Sequence, residues 1–138
     1  MVIVDTGFWL TLANRNDRLH KKAVDCLRDI SEPLITTWPV LTETSHLLFS
    51  QLGYSSLERF MVMFQKGAFS TFPLTDDHAE RITHLIKKYK NLPMDLADAS
   101  LVILAEELGH GRILSTDVRD FSVYRWKEKQ PFENLFGN

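Results

Sequence analysis

Short apolar runs alternate with longer amphipathic stretches along this chain. That alternation predicts strands laid parallel in one sheet, with helices crossing over its faces. Val2-Ile3-Val4 reads as a short buried strand, broken at Asp5-Thr6-Gly7. A short helix is expected from Phe8 to about Asn14, and a second from Asp17 to about Ile30. Pro33 ends that region, and Leu34-Ile35-Thr36 is the second strand. Pro39 stands where a first helical turn tolerates proline, and its helix runs to Gly53, a plausible stop. Ser55 and Ser56 are expected to cap the next helix, which continues to about Gly67. Phe69 to Phe72 is the third strand. Asp76 and Asp77 start a further helix that ends near Asn91, with Asp77 and Glu80 at capping-box spacing. Pro93-Met94-Asp95 begins an Ala- and Leu-rich helix that stops at Gly109. Arg112-Ile113-Leu114 is the fourth strand. From Asp117 a short helix and an irregular tail follow, with an edge strand around Phe132 to Leu135. The expected fold is α/β, a central and mainly parallel sheet of four to five strands flanked by helices, in a single domain over 1–138.

Composition narrows the setting. The 44% apolar and 25% charged shares of this 138-residue chain are those of an ordinary globular domain. The single cysteine, Cys26, excludes an intramolecular disulfide and suits a reducing cytosol. Its apolar helical surroundings predict a buried, inert thiol. No leader and no run long enough to span a membrane is visible, so a cytoplasmic protein is expected. A net charge of −2 argues against a protein that coats DNA passively. It does not exclude a nuclease whose acidic site carries divalent metal, because the metal reverses the local charge. His20-Lys21-Lys22, Lys87-Lys88-Tyr89-Lys90 and Arg125-Trp126-Lys127 are short basic runs available to phosphates or to solvent.

The candidate chemistry lies in carboxylates. Functional groups of open parallel sheets gather at the carboxyl ends of the strands. Asp5 follows the first strand directly, and Asp117 follows the fourth after Ser115-Thr116. Glu43 lies early in the helix after the second strand. Asp95 and Asp98 open the helix that precedes the fourth. If these ends share one edge, the side chains converge, repel one another and call for a hard divalent cation. Such a cation suits phosphodiester hydrolysis. Each acid has a structural alternative: Asp95 with Asp98 makes a capping box, Glu43 suits a helix start, Asp117 can cap the helix after it, and Asp120 can be a surface acid. Asp5 is the hardest to explain as a cap.

Val4-Asp5-Thr6, Leu41-Thr42-Glu43, Asp95-Leu96-Ala97-Asp98-Ala99 and Ser115-Thr116-Asp117 with Asp120-Phe121 occur in the order and at the spacing of the PIN domain family, which the chain resembles over nearly its whole length. The stretch from Asp120 to Arg125 is similar to VapC toxins of toxin–antitoxin pairs. The resemblance implies a PIN-like α/β/α sandwich with Asp5, Glu43, Asp98 and Asp117 as catalytic and metal-binding acids. It implies Asp95 as an auxiliary acid, joined by Thr6, Ser115 and Asp120. Ser115 stands where the family often has Thr, which keeps the hydroxyl. It further implies an endoribonuclease using Mg²⁺ or Mn²⁺, an RNA substrate, a cognate antitoxin and a homodimer.

Other readings fare less well. Glu43-Thr44-Ser45-His46 has the Glu-x-x-His spacing of di-iron bundles, but no second copy exists. His20, His78, His84 and His110 show no zinc-like pairing with Cys26. There is no Gly-rich phosphate loop and no Gly-x-Ser-x-Gly elbow. A haloacid dehalogenase relative would want Asp where Gly7 stands, and the Asp and Lys of a receiver domain cannot be placed. A non-catalytic RNA- or protein-binding module with the same fold is the alternative, against which the retained acids stand. Finally, Leu57, Phe60, Met61 and Phe64 form one apolar stripe, while Val62 and Met63 add apolar surface off it. That helix is expected to meet a partner, either a second copy or an antitoxin segment.

Overall fold

The computed structural model describes residues 1–137. Its centre is β1 (Val2–Val4), fully buried, with β2 (Leu34–Thr37) on one side and β4 (Arg112–Leu114) on the other. β3 (Ser70–Phe72) lies outside β2, and β7 (Glu133–Asn134) outside β4, giving a five-stranded sheet of order β3-β2-β1-β4-β7. Every pairing in it is parallel. Strands covered on both faces need no alternation, which is why Val2-Ile3-Val4 reads as an unbroken apolar run. The chain builds outward from β1 through β2 to β3 and then returns to the other side at β4. The crevice between β1 and β4 is therefore a topological switch point, where open α/β sheets place their ligands.

α6 (Leu96–Leu108) is the central helix. Every residue from Ala99 to Ala105 is buried, and its alanines let neighbouring elements approach closely. α3 (Trp38–Leu52) packs against α6, against α1 (Thr6–Ala13) and against α4 (Tyr54–Gln65). α5 (Ala79–Lys88) lies on α6, and α2 (His20–Arg28) on α1. α7 (Val118–Phe121) is a single turn after β4.

The expected elements form, but α1 starts at Thr6 rather than Phe8 because the Asp5 carboxylate caps it, so that Thr6 and Gly7 are helical rather than a break. There are four further local departures. α2 starts at His20, because the Asp17 carboxylate accepts from the Leu19 N–H at 2.8 Å and closes a turn first. α4 starts at Tyr54 without a side-chain cap; Ser56 is buried in it and accepts from Arg59 at 3.2 Å. The capping box before α5 uses Thr75 and His78 rather than Asp77 and Glu80, across a single 3₁₀ turn. Extended backbone at Thr75 puts its N–H 3.0 Å from His78 Nδ1, and that bond fixes the start one turn early.

The fourth departure is an antiparallel hairpin of β5 (Arg125–Trp126) and β6 (Gln130–Pro131), absent from the expected elements. Strands this short carry no readable alternation. Their turn is held by distant charges instead. Arg81 donates to both Glu106 and Glu128, Lys88 donates to Glu128 at 2.7 Å, and the Lys127 N–H donates to Glu106 at 2.6 Å. Those bonds hold Lys127 and Glu128 at φ 48° and 66°, left-handed backbone that neither residue favours alone.

Candidate active site

Asp5 leaves the sheet at the end of β1, and its N–H extends the β1–β4 pairing by donating to the Leu114 carbonyl at 3.0 Å. Asp5 and Ser115 therefore emerge side by side at the switch point. The Asp5 carboxylate caps α1: Oδ1 accepts from the Thr6 N–H at 2.7 Å, and Oδ2 from the Ser115 hydroxyl at 3.0 Å. The residue is only 7% exposed. Burial pushes its carboxyl from 3.8 to about 6, against the lowering effect of the two hydrogen bonds, and the charges of Glu43 and Asp117 push it further the same way.

Ser115 is fully buried and works in both directions. Its hydroxyl donates to Asp5 and accepts from the Asp117 N–H at 2.9 Å, linking two acids through one oxygen. Its backbone is gripped by the Asn134 carboxamide, which accepts from the Ser115 N–H at 3.2 Å and donates to the Ser115 carbonyl at 2.9 Å. Asp117 caps α7 by accepting from the Asp120 N–H at 3.1 Å. Burial raises the Asp117 carboxyl, and the charge of Asp120 adds to that rise.

Asp95 and Asp98 form the capping box expected of them. Asp98 N–H donates to Asp95 Oδ1 at 2.8 Å, and Asp95 N–H donates to Asp98 Oδ2 at 3.3 Å. The box does not make Asp98 an ordinary cap. Burial, then the charges of Asp95 and Asp5, push its carboxyl from 3.8 to about 8. Asp95 itself is exposed. Glu43 is half-buried in α3, and the N-terminus of that helix is tied to α6 by the Thr37 and Ser100 hydroxyls, 2.6 Å apart. Its charge is felt at Asp5.

Four distant stretches thus bring Asp5, Glu43, Asp98 and Asp117 into one field, with Asp95 and Asp120 beside it. Among the described residues, no three acid, histidine or cysteine side chains close around a point tightly enough to hold a cation unaided. The donor chemistry nonetheless fits Mg²⁺ or Mn²⁺. These are charged oxygen ligands, dehydrated and mutually repelling, and Mg²⁺ keeps several waters while drawing on only one or two carboxylates. The buried Thr6 hydroxyl, which has no hydrogen-bond partner among the described residues, is a further oxygen beside Asp5. A groove of about 740 Å³, bordered by Trp9, Arg15, His20, Arg59 and Met63, has none of these acids in its wall.

Three contributors escaped sequence reasoning. Asn134 and Tyr124 act across long separations, which no local pattern reveals. Gly7 carries no sequence signal of the packing it permits. A Cβ there would lie 1.9 Å from Thr116 Oγ1, so glycine permits α1 and the end of β4 to touch beside Asp5.

Comparison with known proteins follows the same lines. The family model described as PIN domain matches residues 2–127. Ribonuclease VapC26 of Mycobacterium tuberculosis is 23% identical over 124 residues, covering 90% of this chain and 92% of that protein. The crystal structure of Mycobacterium tuberculosis VapC20, described as a toxin that cleaves the sarcin–ricin loop, superposes with a TM-score of 0.83. It is 23% identical and covers 95% of this chain and all of its own.

Proposed function

The chain belongs to the PIN domain family, and on that premise we propose that it is a metal-dependent endoribonuclease, the toxin of a VapBC-type toxin–antitoxin pair. The observation that carries this reading is the meeting of Asp5, Glu43, Asp98 and Asp117 at the β1–β4 switch point, with the carboxyls of Asp5, Asp98 and Asp117 raised by burial and by neighbouring charge. The likeness to VapC26, which is named a ribonuclease, and to the VapC20 toxin supports it. A degenerate binding module has no use for four converging acids, since their repulsion only costs stability.

These four acids are the residues that would hold Mg²⁺ or Mn²⁺. The ion when bound supplies a water of lowered pKa and neutralises charge on the phosphodiester. The chain's own part is positioning. Thr6 N–H and Ser115 Oγ occupy one lone pair on each Asp5 oxygen and fix the carboxylate in the crevice. The capping box fixes Asp98, and Asp120 N–H fixes Asp117. The substrate in this reading is RNA.

The antitoxin partner is proposed to seat on the groove between α1 and α4. Its floor is apolar, from Trp9, Leu12, Phe60 and Met63, and its rim carries Arg15 and Arg59. That combination suits an apolar peptide residue flanked by acids. Met63 is exposed there, and Val62 is exposed on another face of α4, as the sequence pattern predicts. Homodimerisation and a cytoplasmic setting complete the reading; among the described residues no helix is long and apolar enough to cross a membrane. The purified chain should cleave single-stranded RNA internally with Mg²⁺ or Mn²⁺ and lose that activity in excess chelator, regaining it on metal addition. Cleavage undiminished by chelator would remove the metal from the reading.

A further inference from the structure

Tyr124 is a large side chain with no exposure at all, carried on the irregular segment after α7. Its ring is held edge-on by Phe121 at 5.2 Å and by Tyr89 at 5.0 Å. The next residue is pinned as well, since the Arg125 N–H donates to the Tyr89 hydroxyl at 3.0 Å. A ring so fixed leaves its hydroxyl one position. That position is 3.2 Å from the Leu92 carbonyl and 3.4 Å from Asp98 Oδ2.

One phenol proton thus has two acceptors. A carboxylate takes it in preference to a neutral carbonyl whenever it is charged, because charge-assisted hydrogen bonds are the stronger. Asp98 Oδ2 also receives the Asp95 N–H. Both protein donors therefore fall on the same oxygen. Asp98 Oδ1 receives no N–H or hydroxyl from the described residues. A carboxylate oriented through one oxygen, with the other free, is the arrangement by which outer residues aim metal ligands.

We propose that Tyr124 is a positioning residue for Asp98, holding one carboxylate oxygen so that the other is presented to the divalent cation. Tyr124 belongs to the segment that continues from Asp117, so it also ties the two ends of the acid cluster together. The inference rests on the reading of Asp98 as a metal ligand, and a mutant cycle separates the two. Mn²⁺ affinity is measured by calorimetry, without RNA, for the intact chain, Tyr124→Phe, Asp98→Asn and the double variant, together with their melting temperatures. Tyr124→Phe should weaken Mn²⁺ on the order of tenfold, with little change in melting temperature. In the Asp98→Asn background the same change should have no effect on Mn²⁺. Wild-type affinity in Tyr124→Phe, beside a weakened Asp98→Asn, overturns the positioning role alone. So does an equal loss in both backgrounds, or a lowered melting temperature with affinity unchanged. Wild-type affinity in Asp98→Asn overturns the ligand reading and the inference with it.

Discussion

Asp98 has the strongest claim to attention at the scale of single residues, because its folded environment opposes its charge. Its carboxyl stands near 8 when folded against an ordinary 3.8, so between those values the folded state binds a proton that the unfolded state has released. Stability of the metal-free protein should therefore fall as pH rises from about 4 to about 8 and level off above, with Asp5 contributing below about 6. Melting curves in chelator across that range test it. Asp98→Asn should melt higher than wild type at pH 8 and show a flatter profile; a wild-type curve that rises with pH contradicts the burial argument. Asn134 makes the opposite case. Truncation to Ala strips both hydrogen bonds from the buried Ser115 backbone and should cost about 1–3 kcal/mol by denaturant unfolding, with slower RNA cleavage as Ser115 loosens. Asp5 was legible because an acid directly after an apolar strand stands at a strand's carboxyl end, although it also proves to be the N-cap of α1. Asn134 and Tyr124 were not, because each acts on a residue far from it along the chain.

At the scale of elements, the strands and helix starts were readable where a local signal is strong: Pro39 early in α3, Gly53 after it, and Asp95 with Asp98 at α6. The hairpin was not, since its geometry comes from Arg81, Lys88 and Glu106 on other elements. Capping before α5 went to Thr75 because backbone extension there outweighed acid spacing. The contact of α1 with the end of β4 yields a prediction of its own. Gly7→Ala should lower both melting temperature and RNA cleavage, because its Cβ overlaps Thr116 Oγ1. Adding Thr116→Ala removes that oxygen and should restore part of the stability. A Gly7→Ala protein indistinguishable from wild type would show that the contact relaxes freely. On α4, Met63 is 49% exposed. Met63→Lys should leave the fold and RNA cleavage unchanged while weakening antitoxin binding at least tenfold by calorimetry, about 1.4 kcal/mol. A variant that binds as wild type removes α4 from the interface.

Across the whole molecule, one parallel sheet delivers acids from four separate stretches to one crevice. The sequence carried the sheet class and the acids' positions at strand ends. It could not carry their convergence, which depends on the strand order and on β1 lying between β2 and β4. Nor could it show that, among the described residues, no three acids close on a cation unaided. The fold holds them apart at the cost of mutual repulsion, and a bound divalent ion relieves that repulsion. Ligand binding to the folded state alone stabilises it by mass action, about 2.7 kcal/mol at a hundred times Kd. Saturating Mn²⁺ should thus raise the melting temperature of the wild-type chain and leave that of Asp5→Asn nearly unmoved.

The most direct test compares wild type and Asp5→Asn, at equal folded concentration, on end-labelled single-stranded RNA with Mn²⁺. Asp5→Asn keeps the shape of the buried side chain and removes its charge. The acid-cluster account predicts internal cleavage by wild type and at least a hundredfold slower cleavage by the variant, about 2.7 kcal/mol of lost transition-state stabilisation. Equal rates from the two proteins would contradict it.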